Sequence, residues 1–124
     1  MPKIETERMK RFASHLLGVA QGAEIMFSDF EHDGPMWSAE GPREARVAVT
    51  FGEAFSTAPV VHVSMGMWDT EGQTNQRADL RAENITPQGF DMVFRTWGDS
   101  RIARVRADWM AIGPLPDDDI WDVD

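Results

Sequence analysis

From Arg46 to Gly113 the apolar residues fall at every second position, and a chain patterned that way has little to fold into except strands buried on one face. Val47, Val49 and Phe51 make the first set. After Ala58-Pro59 interrupts the pattern, Val61, Val63, Met65 and Met67 make the next. Ala78, Leu80 and Ala82 then alternate with Arg77, Asp79, Arg81 and Glu83, up to the turn sequence Asn84-Ile85-Thr86-Pro87-Gln88-Gly89. Beyond that turn Phe90, Met92, Phe94 and Thr96 share one face, with Asp91, Val93, Arg95 and Trp97 on the other. Gly98-Asp99 turns the chain again. The last long strand puts Ala103, Val105, Ala107, Trp109 and Ala111 inward and Arg104, Arg106 and Asp108 outward, and Gly113-Pro114 ends it. Strands with one apolar face each predict two antiparallel sheets packed face to face.

Closing such a sandwich takes a further strand. The stretch Ser14-His15-Leu16-Leu17-Gly18-Val19, followed by Gly22 and Ile25-Met26-Phe27, is expected to supply it, although a short helix over Phe12 to Val19 fits the same loose pattern. The segments expected are 1–22 with the first strand, a loop-rich 23–45 packed on the sandwich, the core 46–113, and an acidic tail 114–124. Between Asp29 and Glu44 no period is visible. At 124 residues one domain accounts for the chain. A hydrophobic share of 42% beside 27% charged residues is that of a soluble globular protein, with no apolar run near the ~18 residues of a membrane span.

Charge and chemistry exclude several functions. Of the net charge of -9, Asp117, Asp118, Asp119, Asp122 and Asp124 supply five negative charges, so the body has no basic face to neutralise phosphates and neither nucleic acid nor anionic membrane is an expected partner. There is no cysteine, hence no disulfide and no thiolate metal site. His15, His32 and His62 have no ligand spacing, so no metal and no cofactor is expected. Asp69, Asp79, Asp91 and Asp99 fall on turns or outward faces, which suits neither a glycosidase carboxylate pair nor a catalytic triad; an enzyme is not expected. The start, Met1 to Arg11, is polar with no readable secretion signal, leaving a cytoplasmic life, non-classical export or a virion as locations.

One ordered series of residues goes beyond pattern: Thr50-Phe51, Phe55, Pro59-Val60-Val61, Asp69, Asn75 and Arg77, Asn84-Ile85-Thr86 with Gly89-Phe90, Thr96-Trp97 with Asp99-Ser100, and Trp109-Met110-Ala111-Ile112-Gly113. Spanning four strands and their turns, it resembles the H-type lectin domain, the family of the snail agglutinins and of the C-terminal half of the discoidins. The resemblance implies a six-stranded antiparallel β-sandwich assembled into homotrimers or dimers of trimers. It also implies a shallow site near the contact between neighbouring copies, for galactose or N-acetylgalactosamine.

Carried over residue by residue, the sugar contacts are Arg77 as hydroxyl donor, Trp97 as pocket lining and Glu40 as acceptor. Gly98 stands where a snail lectin of the family uses a His side chain, and Glu40 where an Asp is usual, which implies a more permissive pocket. The chemistry agrees, because a neutral sugar needs ionic partners for its hydroxyls and an aromatic surface for its C–H face. The outward row Arg101, Arg104, Arg106 and Asp108 is the expected contact around a three-fold axis. A second function, of another class, is a trimeric structural or adhesion module of a virion or cell-surface assembly that binds no sugar.

Overall fold

A computed structural model describes residues 8–13 and 15–116; the acidic stretch from Asp117 onward, including Trp121, lies outside the described residues. Its strands are β1 (Leu17–Ser28), β2 (Arg43–Thr50), β3 (Val60–Thr70), β4 (Asp79–Thr86), β5 (Gly89–Thr96) and β6 (Ile102–Pro114). They form two antiparallel three-stranded sheets, ordered β1-β6-β3 and β2-β5-β4. The strand expected at the front of the chain is present from Leu17 but not at His15 and Leu16, Ser14 lying outside the described residues, and β1 runs unbroken through residues 22 and 23. Among the described residues no helix is long and apolar enough to cross a membrane.

The core lies where the period-two faces meet. Phe90, Met92 and Phe94 of β5 pack against Val105, Ala107 and Ala111 of β6, all buried. Phe51 and Phe90 surround the Trp109 indole, with ring centroids 5.8 and 5.5 Å away. Trp109 is therefore a packing residue, its ring lying over Gly22, where an added Cβ would come within 2.9 Å of the indole.

Two readings of the alternation need correction. In β3 the period slips: Met65 faces Ala107 and Met67 faces Arg106, leaving Gly66 as the extra residue of a β-bulge. Met67 therefore joins the outward row with Arg106 and is not part of the core, and Trp68, although opposite the buried Val105, does not replace it there, being 62% exposed. Ala78 precedes β4 and is exposed, so the inward set of that strand starts at Leu80.

The stretch between β1 and β2 is less irregular than its composition suggests. Asp29–His32 forms a 3-10 turn and Pro35–Ser38 a one-turn helix, α1, with proline in its first turn, where the missing N–H costs nothing. The Asp29 carboxylate accepts the Met36 N–H at 2.9 Å, and the Met36 side chain is buried in the core. That anchor determines where residues 39–42 can go.

Candidate functional site

Antiparallel pairing brings the segments 29–42, 71–78 and 97–101 to one end of the sandwich, and polar bonds lock them together. Arg43, the first residue of β2, is the main clamp. Its guanidinium donates to the carbonyls of Gly41 (2.8 Å), Ser100 (2.9 Å), Gly98 (3.1 Å), Pro35 and Met36 (3.2 Å each). The Gly41 N–H also donates to the Gly98 carbonyl at 2.9 Å. Both glycines have positive φ, 80° and 70°, a region that L side chains rarely adopt.

Two buried hydroxyls hold Arg77 in the same frame. Its N–H donates to Ser100 Oγ at 2.9 Å, and its carbonyl accepts from Thr96 Oγ1. Ser100 Oγ also has the carbonyls of Asn75 and Trp97 within 3.1 and 3.0 Å. Thr96 and Ser100 are the buried polar residues of the described fold, and both are spent on this one loop junction. Buried polar groups are costly unless paired, so the junction has a single low-energy arrangement.

The Arg77 side chain lies over Gly98. A Cβ at position 98 would come within 2.9 Å of Arg77 Nη1, so the room that a missing side chain leaves there is filled by the guanidinium. Arg77 Nη1 in turn donates to Asp99 Oδ1 at 2.6 Å, a charge-assisted bond between half-exposed groups. That bond, ahead of all other influences, holds the Asp99 carboxyl below the usual carboxylate range.

Glu40 lies just before the Gly41–Gly98 bridge, in a cleft of ≈ 390 Å³ walled by Ser38, Thr74, Asp99 and Arg101. Trp97 is on the other side of the bridge, 45% exposed, in a shallow groove of ≈ 280 Å³ with Pro42, Arg43, Glu44, Arg95 and Thr96. Gly98 thus has the Arg77 guanidinium against it, Trp97 before it in the chain and the residue after Glu40 bonded to its carbonyl, but Glu40 and Trp97 line separate clefts and Arg77 lines neither of them. Neither Trp97 nor Arg77 belongs to a strand: β5 ends at Thr96 and β4 begins at Asp79. The arrangement offers hydrogen-bond donors, carboxylate acceptors and an open indole face, a set fitted to a polyhydroxylated ring.

A family model described as the H-type lectin domain matches residues 46–112. The chain belongs to the H-type lectin domain family. Among its relatives, "ATP synthase subunits region ORF 7" of Fuscovulum blasticum is 57% identical over 108 residues, covering 87% of this chain and 94% of that protein. A discoidin-1 polypeptide of Dictyostelium discoideum is 39% identical over 91 residues, covering 73% of this chain and 35% of the discoidin. The solved structure of recombinant discoidin II from Dictyostelium discoideum superposes with a TM-score of 0.67 at 25% identity, covering 85% of this chain and 40% of that one. The chain therefore spans nearly all of the first relative but only about a third of the discoidin-1 polypeptide. Membership in this lectin family supports a carbohydrate-binding role.

Sequence reasoning gives no site role to three residues of this loop junction. Asp99 reads as a turn acid and, with Ser100, as part of the family series, and Arg43 only as the end of a weaker extension of that series through Glu40-Gly41-Pro42-Arg43, because an arginine opening an alternating strand reads as solvated surface. Only the convergence of five carbonyls gives Arg43 its role. The signal present in the sequence was the pair of glycines at 41 and 98, which mark turns that something must hold.

Proposed function

We propose that this protein is a lectin for galactose- or N-acetylgalactosamine-like glycans, with Arg77, Trp97, Glu40 and Gly98 forming a shallow site, and that it works as a homotrimer. The observation that carries the reading is the exposed Trp97 indole one residue from the Gly98 turn, on which Arg77 rests with its guanidinium oriented by Asp99. Arg77 donates to sugar hydroxyls, Glu40 and Asp99 accept from them, and the indole covers the C–H face of the ring. Gly98 leaves Arg77 room to take this position. Such a shallow site binds weakly alone, and three copies raise the effective affinity by ~100-fold or more where the glycan spacing permits.

The self-association face that supports a trimer best is the outer side of the β1-β6-β3 sheet, and within it the apolar rows. The charged row expected from the sequence is already engaged inside one chain. Arg104 donates to Asp69 at 3.3 Å, Arg106 to the Gly66 carbonyl at 3.1 Å beside Asp108 at 3.4 Å, and Arg101 to the Trp37 carbonyl at 3.0 Å. By contrast Val19, Ile112 and Val60 are exposed and form one row across the three strands, and the exposed Met110 stands in another row between Gln21 and His62. Burial of such rows between copies is favourable at about 25 cal/mol per Å² of apolar surface.

Calorimetric titration with N-acetylgalactosamine and with galactose tests the site. Heat is expected with the unmodified protein and at least a tenfold loss of affinity with Trp97→Ala; equal binding by that variant sinks the assignment. The exposed apolar rows also favour the second reading, a trimeric structural or adhesion module without a sugar ligand. A stable trimer in sedimentation that gives no heat with any monosaccharide decides for that module.

A further inference from the structure

Beside the proposed site lies a second cleft of ≈ 430 Å³ whose residues have no part in it. Its lining includes Ser28, Phe30, Trp37, Asp69, Thr70 and Arg104. Phe30, in the 3-10 turn, is 58% exposed, although its ring meets Trp37 edge-to-face with centroids 5.0 Å apart. A phenyl ring kept open to solvent by a rigid aromatic neighbour is a surface for the C–H face of a ligand. Around it stand groups suited to hydroxyls. The Arg104 Nε–H donates to Asp69 Oδ2 at 3.3 Å, which engages one of the five guanidinium N–H groups and one carboxylate oxygen, while Ser28 and Thr70 add hydroxyl groups to the lining.

The two clefts share a wall. Arg101 lines the Glu40 cleft, and its guanidinium carbon sits 4.6 Å from the centroid of the Trp37 indole, which lines the second cleft. The Arg101 Nε–H also donates to the Trp37 carbonyl at 3.0 Å, so this stack is tied to the backbone. The Ser28–Arg104–Asp69 row that floors the second cleft is at the loop end of its sheet, the opposite end from the aligned Val19, Ile112 and Val60, so an assembly seated on the apolar rows leaves it open.

We propose that the Phe30 cleft is a second saccharide subsite, which receives the next ring of a glycan whose terminal ring occupies the Arg77–Trp97–Glu40 site. The inference rests on the lectin reading and narrows its ligand class to oligosaccharides of two rings or more. The monosaccharide then measures the first site alone, and the disaccharide measures both.

The test is calorimetry of the full chain with N-acetylgalactosamine and with an α-linked N-acetylgalactosaminyl-galactose disaccharide, on the unmodified protein, Phe30→Ala, Asp69→Asn and Trp97→Ala. The disaccharide is expected to bind more tightly than the monosaccharide. Phe30→Ala is expected to lower disaccharide affinity by about fivefold, the scale of one aromatic contact. The same variant leaves monosaccharide affinity unchanged, and Asp69→Asn lowers the disaccharide alone. Because Phe30 is exposed, melting curves matching the unmodified protein verify that the variant is folded. Disaccharide affinity unchanged in both Phe30→Ala and Asp69→Asn overturns the second subsite while leaving the first standing. Monosaccharide affinity unchanged in Trp97→Ala overturns the first site, and the second with it.

Discussion

The outward faces of the two sheets are built on opposite plans. On the β2-β5-β4 sheet the register aligns Glu44, Arg95 and Asp79 in one row, Arg46, Val93 and Arg81 in the next, and Ala48, Asp91 and Glu83 in the third. The charges form a lattice. Arg46 bonds Asp91 at 3.1 Å and Glu83 at 3.3 Å, Arg95 bonds Glu83 at 2.9 Å and Glu44 at 3.0 Å, and Arg81 bonds Asp79 at 2.7 Å. Even Val93, on this outward side, is fully buried between flanking arginines, whose apolar stems cover surface while their charged heads stay wet. Far from the loop end, the β1-β6-β3 sheet instead aligns Val19 with Ile112 and Val60, and Gln21 with Met110 and His62. A face whose charges are answered by its own chain has little to offer a second copy, whereas an exposed apolar one is stabilised by meeting another.

The largest expected effect breaks the apolar side. A Met110→Asp, Ile112→Asp double variant is predicted to weaken self-association by about 100-fold or more, because each copy would bury unpaired carboxylates. Sedimentation at graded concentration reads this, and an unaltered oligomer would remove that face from the assembly. Next, Val93→Ala is predicted to lower the unfolding free energy by about 2 kcal/mol in urea titrations, the scale of one buried valine. Ile112→Ala in protein diluted to monomers should cost far less, and equal losses would erase the contrast between the faces.

Acid should act on the lattice side. The Glu83 carboxyl is held low chiefly by the Arg95 hydrogen bond, and that of Asp91 chiefly by the Asn84 amide, so both are ionised more readily folded than unfolded. Their stabilising contribution is therefore complete above the unfolded values, about pH 4, and is lost as pH falls through the lower folded ones. Melting temperatures measured from pH 7 to pH 2 should show that loss, and Glu83→Gln should reduce it. The smallest effect sharpens the same point: Arg81→Ala, which removes an exposed pair with one partner, should shift the melting temperature less than Arg46→Ala, which removes a hub.

Much of this molecule follows from the sequence alone, because strand alternation is a local property. Each residue's face is set by its neighbour's, and so the inward sets Phe90, Met92, Phe94 and Val105, Ala107, Ala111 needed no partner to be recognised. The family series likewise marked Arg77 and Trp97 from side chains in order along the chain, and Gly98 as a departure from it. Tertiary structure decided what depends on residues far apart. The Gly66 bulge is visible only in the pairing of β3 with β6, for although a lone glycine inside a strand hints at a bulge, the register that shifts there belongs to both strands. The Arg77–Asp99 pair and the Arg43 clamp span 22 and up to 57 positions, so they form only once the sheets have chosen their order. Whether an outward row becomes lattice or interface is decided the same way, since a charge is satisfied or left open by the strand beside it, and pairing between strands is not written within either one.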